Sequence, residues 1–276
     1  MKCPECQRES PEDARFCNIC GHSLEIKWAE GDRSNPPDRR FFPTFAILEQ
    51  IMILGILHDI HTGPEKFTSL FNSLNAPLDF RVYEVSNGHF PESPEVSDAF
   101  LVPGSTKGVY DSDPWIGELL DFVKRSYQAQ RKLVGICFGH QVIAHALGGH
   151  ASKSEKGWGL GLKEFMITKQ KSWMVPGLDS CKLYFTHQDQ VTSLPSGAEL
   201  LGTSDFCPIN IFCIGNRVLS IQGHPEYTLK RVYKILELLK EQVPVEVQKV
   251  ARDSLKNGQP DSEIIAKWIL NFITSK

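Results

Sequence analysis

Neither sign of charge dominates this 276-residue chain: 30 lysines and arginines face 33 aspartates and glutamates, a formal net charge of -3. Without a bulk basic field, overall charge gives no reason to expect nucleic acid as a partner. Long hydrophobic runs are also missing. The most apolar window, 45–60, is broken by Glu49, Gln50, His58 and Asp59, too short and too polar for a bilayer-spanning helix. No membrane role is expected, and residues 51–57 read instead as a buried strand. The start, Met1-Lys2-Cys3-Pro4, has no apolar leader. Internal repeats are absent. Cysteine is scarce beyond residue 20, where only Cys137, Cys181, Cys207 and Cys213 follow. A secreted disulfide framework would not leave them so uneven, so a reducing compartment, the cytoplasm, is the expected address.

The first twenty residues hold the other four cysteines, as Cys3-Pro4-Glu5-Cys6 and Cys17-Asn18-Ile19-Cys20-Gly21. Two residues between cysteines let both thiolates converge on one metal, and two such pairs complete a tetrahedral shell. Residues 1–25 therefore read as a ribbon holding structural Zn2+, with His22 a bystander and no open position for catalysis. Its use stays open between docking to a protein partner or nucleic acid and a self-folding appendage. Residues 26–42, polar and broken by Pro36-Pro37, read as a linker.

From 43 to 276 short apolar runs alternate with helical patterns, the mark of an α/β fold. Strands are expected at 51–57, 80–85, 99–102, 132–136, 162–168, 181–186 and 211–221. Helices are expected at 64–75, from Asp113-Pro114 onward, from Cys137 to 148, and near 228–240, 245–256 and 262–274. In the last, Ile265, Trp268, Ile269 and Phe272 share one face.

Three segments carry chemistry. Gly135-Ile136-Cys137-Phe138-Gly139 has the form of a strand-to-helix elbow, with glycines where a Cβ would strike neighbouring backbone. It lifts Cys137 to the sheet edge at a helix start, whose N–H groups attract negative charge. Taken alone, Cys137 could equally be a buried structural cysteine. Gly223-His224-Pro225-Glu226 follows an apolar run. In extended backbone i and i+2 project together, so Glu226 would orient one nitrogen of His224 while the other faces the thiol. The loop Val102-Pro103-Gly104-Ser105 leaves a strand at the same edge. Gly104, Ser105 and the N–H of Phe138 are the candidate oxyanion donors, though an ordinary turn would look alike.

The elbow and the His-Pro-Glu together resemble the class I (triad) glutamine amidotransferases, from about residue 51 to the C-terminus. Asp113-Pro114-Trp115-Ile116, Lys156-Gly157-Trp158 and His187-Gln188-Asp189-Gln190-Val191 look more narrowly like stand-alone GMP-synthase-like members, the plant γ-glutamyl peptidases among them. The resemblance implies a flavodoxin-like three-layer sandwich with a central, mostly parallel sheet. It implies a γ-glutamyl thioester on Cys137, with His224 as acid and base and Glu226 as its orienter, on glutamine or a γ-glutamyl peptide. Gln141, Trp158 and His187 would contact substrate, and catalysis needs no cofactor. Where many members carry two glycines, this chain has Gly104-Ser105. No nucleotide-binding loop accompanies the domain, so two alternatives accompany the hydrolase reading. One is a glutaminase subunit feeding ammonia to a separate synthetase, the other a catalytically idle adaptor recruited through the ribbon.

Overall fold

The computed structural model describes residues 51–61, 63–256 and 258–275. Cys3, Cys6, Cys17 and Cys20, the linker and the first residues of the large domain lie outside the described residues.

In chain order the elements are β1 (Met52–His58), α1 (Glu65–Asn72), β2 (Leu78–Glu84), β3 (Ala99–Val102), α2 (Pro114–Gln128), β4 (Lys132–Ile136) and α3 (Phe138–Ala146). There follow β5 (His150–Lys153), β6 (Gly159–Ile167), β7 (Ser180–His187), β8 (Asp189–Ser193), β9 (Glu199–Thr203), β10 (Ile211–Ile214) and β11 (Val218–Ile221). Helices α4 (Leu229–Leu238), α5 (Val245–Ser254) and α6 (Ser262–Thr274) close the chain. Among the described residues one sheet runs β2-β1-β3-β4-β11-β10-β9-β6-β7, and β5 pairs with β8 apart from it.

The sheet is mixed. From β2 to β11 every pair is parallel, with Leu54 opposite Phe80 and Ala99, and Ile136 opposite Ile221. From β11 to β7 every pair is antiparallel. Apart from the edge strand β2, the parallel half is buried on both faces, which is why β3 reads as a continuous apolar run. On one face α1 and α6 set Phe67, Phe71, Trp268 and Phe272 against it. On the other, α2 and α3 contribute Ile116, Leu119, Val123 and Val142. Each such side chain adds about 1.5–3 kcal/mol by leaving water. The antiparallel half is covered by α4 and α5 through Val232, Leu236 and Ala251.

Two local expectations change in detail. The run 211–221 is a hairpin of β10 and β11, turned at Gly215, whose φ of 54° suits glycine. Asp113 stands at the N-cap of α2 without a side-chain cap bond; its carboxylate accepts from Lys107 Nζ at 2.8 Å instead. Among the described residues no helix is long and apolar enough to cross a membrane.

Candidate active site

Strand β4 delivers Cys137 to the C-terminal edge of the parallel half, where α3 begins. Cys137 has φ 53° and ψ -105°, a conformation that costs a residue with a Cβ about 1–3 kcal/mol. Its N–H donates to Ile221 O at 2.9 Å. The flanking glycines are steric necessities. A Cβ on Gly135 would stand 2.5 Å from Gly139 O, and one on Gly139 would stand 1.9 Å from Val102 O. The N–H of Gly139 also donates to Pro103 O at 3.0 Å, tying the elbow to the loop after β3.

His224 arrives from the other side. Its N–H donates to Tyr184 O at 2.8 Å, pinning the segment after β11 to β7. The i, i+2 spacing brings Glu226 Oε1 within 2.8 Å of His224 Nδ1, both side chains buried. His224 Nε2 lies 3.2 Å from Thr186 Oγ1, and the Cys137 side chain is near enough to act on the ring electrostatically. Burial opposes charge on this imidazole, yet Tyr227, the Glu226 carboxylate and Cys137 outweigh it and raise its pKa well above the usual histidine range. Tyr227 stacks flat on His224, with ring centroids 3.9 Å apart and planes 7° apart. That is favourable for a ring carrying positive charge.

Gly104 sits against this pair: a Cβ there would lie 2.9 Å from His224 Cε1 and 3.6 Å from Cys137 Cβ. The Ser105 hydroxyl donates to Asp59 Oδ2 and accepts the Lys107 N–H at 3.1 Å, bracing the loop. Phe138 is the first residue of α3, directly after Cys137. The Gln141 amide donates to Asp189 O at 2.9 Å and Gln222 Oε1 at 3.4 Å, so its NH2 group serves the fold. His187 is buried, with Nδ1 2.9 Å from Asp189 O, and burial pushes its pKa down to about 3. His140, buried beneath the elbow, is likewise lowered to about 3 by burial. Both rings are therefore neutral near pH 7.

All nine candidates from Gly104 to Glu226 belong to one neighbourhood. Gly104, Cys137, Gln141, Trp158, His187 and His224 are among the residues lining a single cleft of about 810 Å³. Tyr227 and Thr186 also belong to it, and neither carries a sequence signal. Tyr227 stacks on His224 from three residues along the same segment, and Thr186 reaches it only because β7 pairs beside His224. Among the described residues no group of three or more His, Cys, Asp or Glu could hold a metal ion.

Comparison with known proteins places this geometry. Residues 76–238 match the family described as glutamine amidotransferase class-I. γ-Glutamyl peptidase 2 of Arabidopsis thaliana is 30% identical over 219 residues, 76% of this chain and 87% of that protein. The glutamine-hydrolysing GMP synthase of Aquifex aeolicus is 36% identical over 108 residues, 38% of this chain and 21% of that protein. A glutamine amidotransferase structure from Thermotoga maritima superposes with a TM-score of 0.66 at 18% identity, covering 81% of this chain and 98% of that one.

Proposed function

Because the chain belongs to the class I glutamine amidotransferase family, we propose that it cleaves the γ-glutamyl amide bond through a thioester on Cys137. In this reading Cys137 passes its proton to His224 and its sulfur attacks the γ-carbonyl carbon. The oxygen becomes an anion facing the N–H groups around Gly104, Ser105 and Phe138. His224 gives its proton to the leaving nitrogen as the C–N bond breaks, releasing ammonia or an amine. Water then attacks the thioester, with His224 taking a proton; the C–S bond breaks, glutamate departs and the thiol is restored. Glu226 holds the ring in register.

The observation that carries this reading is that Glu226 holds His224 Nδ1 at 2.8 Å while His224 and Cys137 line the same cleft, both beside Gly104. A release assay with glutamine and γ-glutamyl dipeptides tests it. Wild type should turn over at least one of them with a transient acyl-enzyme visible by mass, and Cys137→Ala should turn over none. Undiminished turnover in Cys137→Ala removes the proposal. The match to peptidases along most of their length favours a γ-glutamyl peptide substrate, with no partner needed. The similarity to a GMP synthase supports a second reading, ammonia delivery to a synthetase on another chain; glutaminase activity that appears only on adding such a partner would select it.

Cys3, Cys6, Cys17 and Cys20 complete the proposal as a structural Zn2+ site serving a protein contact rather than catalysis. One equivalent of zinc per purified chain, lost in Cys17→Ser, is the expected result.

A further inference from the structure

Helix α4 carries apolar residues on two faces. Val232 and Leu236 are buried in the core between α4, α5 and the sheet. A second row at helical spacing, Ile235, Leu238 and Leu239, lines the catalytic cleft instead. Leu238 is 65% exposed, so the described residues leave most of it open. Arg231 begins the same row. Its Nε is shielded from solvent and, among the described residues, has no hydrogen-bond partner. An unsatisfied buried donor is costly, and a cation in the first turn of a helix also opposes the dipole. By contrast Lys107, on the facing loop, is paired with Asp113 at 2.8 Å. The guanidinium carbon of Arg231 lies 5.8 Å from the ring centroid of Tyr227, the ring that stacks on His224. A positive group therefore stands beside the ring that stacks on His224, and an apolar wall lines the same cleft. At about 810 Å³ the cleft is of a size that holds drug-like molecules, far more than a glutamyl group fills.

We propose that Arg231, with Ile235, Leu238 and Leu239, forms a leaving-group subsite for γ-glutamyl peptides whose released part has an apolar side chain and a free C-terminal carboxylate. The guanidinium takes the carboxylate as a charge-assisted pair, and the outer face of α4 takes the side chain. The subsite rests on the hydrolase reading above and adds to it what the enzyme selects. Leaving groups of one or two residues place their carboxylate about 3.5–7 Å past the scissile nitrogen, a reach that stays within the cleft Arg231 and His224 both line.

The test compares γ-glutamyl-phenylalanine, its C-terminal amide, γ-glutamyl-glycine and glutamine on the full chain. Wild type should favour the acid over the amide by about 10–100-fold in kcat/KM, the range of a hydrogen bond to a charged group. Arg231→Gln should bring that ratio near one, and Arg231→Lys should restore part of it. Leu238→Ser should narrow the preference for phenylalanine over glycine. Equal use of acid and amide by wild type overturns the subsite, as does a ratio that survives Arg231→Gln. Cleavage of glutamine without any γ-glutamyl peptide overturns it too, leaving the Cys137 chemistry standing. Cleavage of none of the four removes the hydrolase reading itself.

Discussion

Gly104→Ala adds a single methyl group at the point where the loop after β3 meets Cys137 and His224. That carbon would stand 2.9 Å from His224 Cε1, closer than unbonded carbons approach, whereas its 3.6 Å from Cys137 Cβ is ordinary contact. The imidazole must yield, and its exits are closed. Glu226 holds Nδ1 at 2.8 Å, Thr186 stands 3.2 Å from Nε2, and Tyr227 covers a face at 3.9 Å. Overpacking of this kind costs about 1–3 kcal/mol, or about 2–4 °C in Tm per kcal/mol for a domain of this size. The larger effect should fall on turnover, because a catalytic group displaced by about 1 Å loses on the order of 100-fold in rate. The assay is kcat/KM on the best γ-glutamyl substrate beside thermal unfolding of the same preparation. A folded Gly104→Ala protein within threefold of wild type would show that the imidazole is not held as described, and the account of the pair would fail.

Glu226→Gln should lower kcat by about 10²–10⁴-fold, the scale of general acid–base contributions, and should move the alkaline limb of kcat/KM downward. The Glu226 carboxylate helps raise the His224 pKa, and the acid role ends as pH climbs through the raised value; an unmoved limb would refute this. Tyr227→Leu should shift the same limb while leaving Tm within a few degrees, since the stacked ring acts on His224. The neutral buried His140 and His187, each lowered to about 3, should make the fold acid-sensitive. Below about pH 6.5 the unfolded chain binds protons that the fold excludes, so stability falls as pH falls, by about 1.4 kcal/mol per pH unit for each ring. Denaturant midpoints that stay flat from pH 6.5 to 5 would contradict it.

Legibility followed locality. The elbow could be read because a strand, two glycines, a cysteine and a helix are contiguous, and the collisions at Gly135 and Gly139 are with backbone close by in the fold. Helix α6 could be read because Ile265, Trp268, Ile269 and Phe272 repeat with the helical period and are all buried. Strands β5, β8 and β9 escaped notice. They are short, and three of the five residues of β8 are exposed or partly exposed and polar, so no apolar alternation marks them. The direction of the strands beyond β11 was also hidden, since an apolar run has the same composition whichever way its neighbour points. Thr186 enters the site only through the pairing of Tyr184 with His224, a distant contact without a local pattern, whereas Tyr227 stacks on His224 from three residues along the same segment.

The backbone of Cys137, at φ 53° and ψ -105°, means that the protein folds against the residue proposed as its nucleophile. Glycine would occupy that twist at ease, and a chain selected only for durability would have one there. The sulfur is thus kept at the expense of thermal resilience, so Cys137→Gly should be sturdier in its backbone and inert in its chemistry.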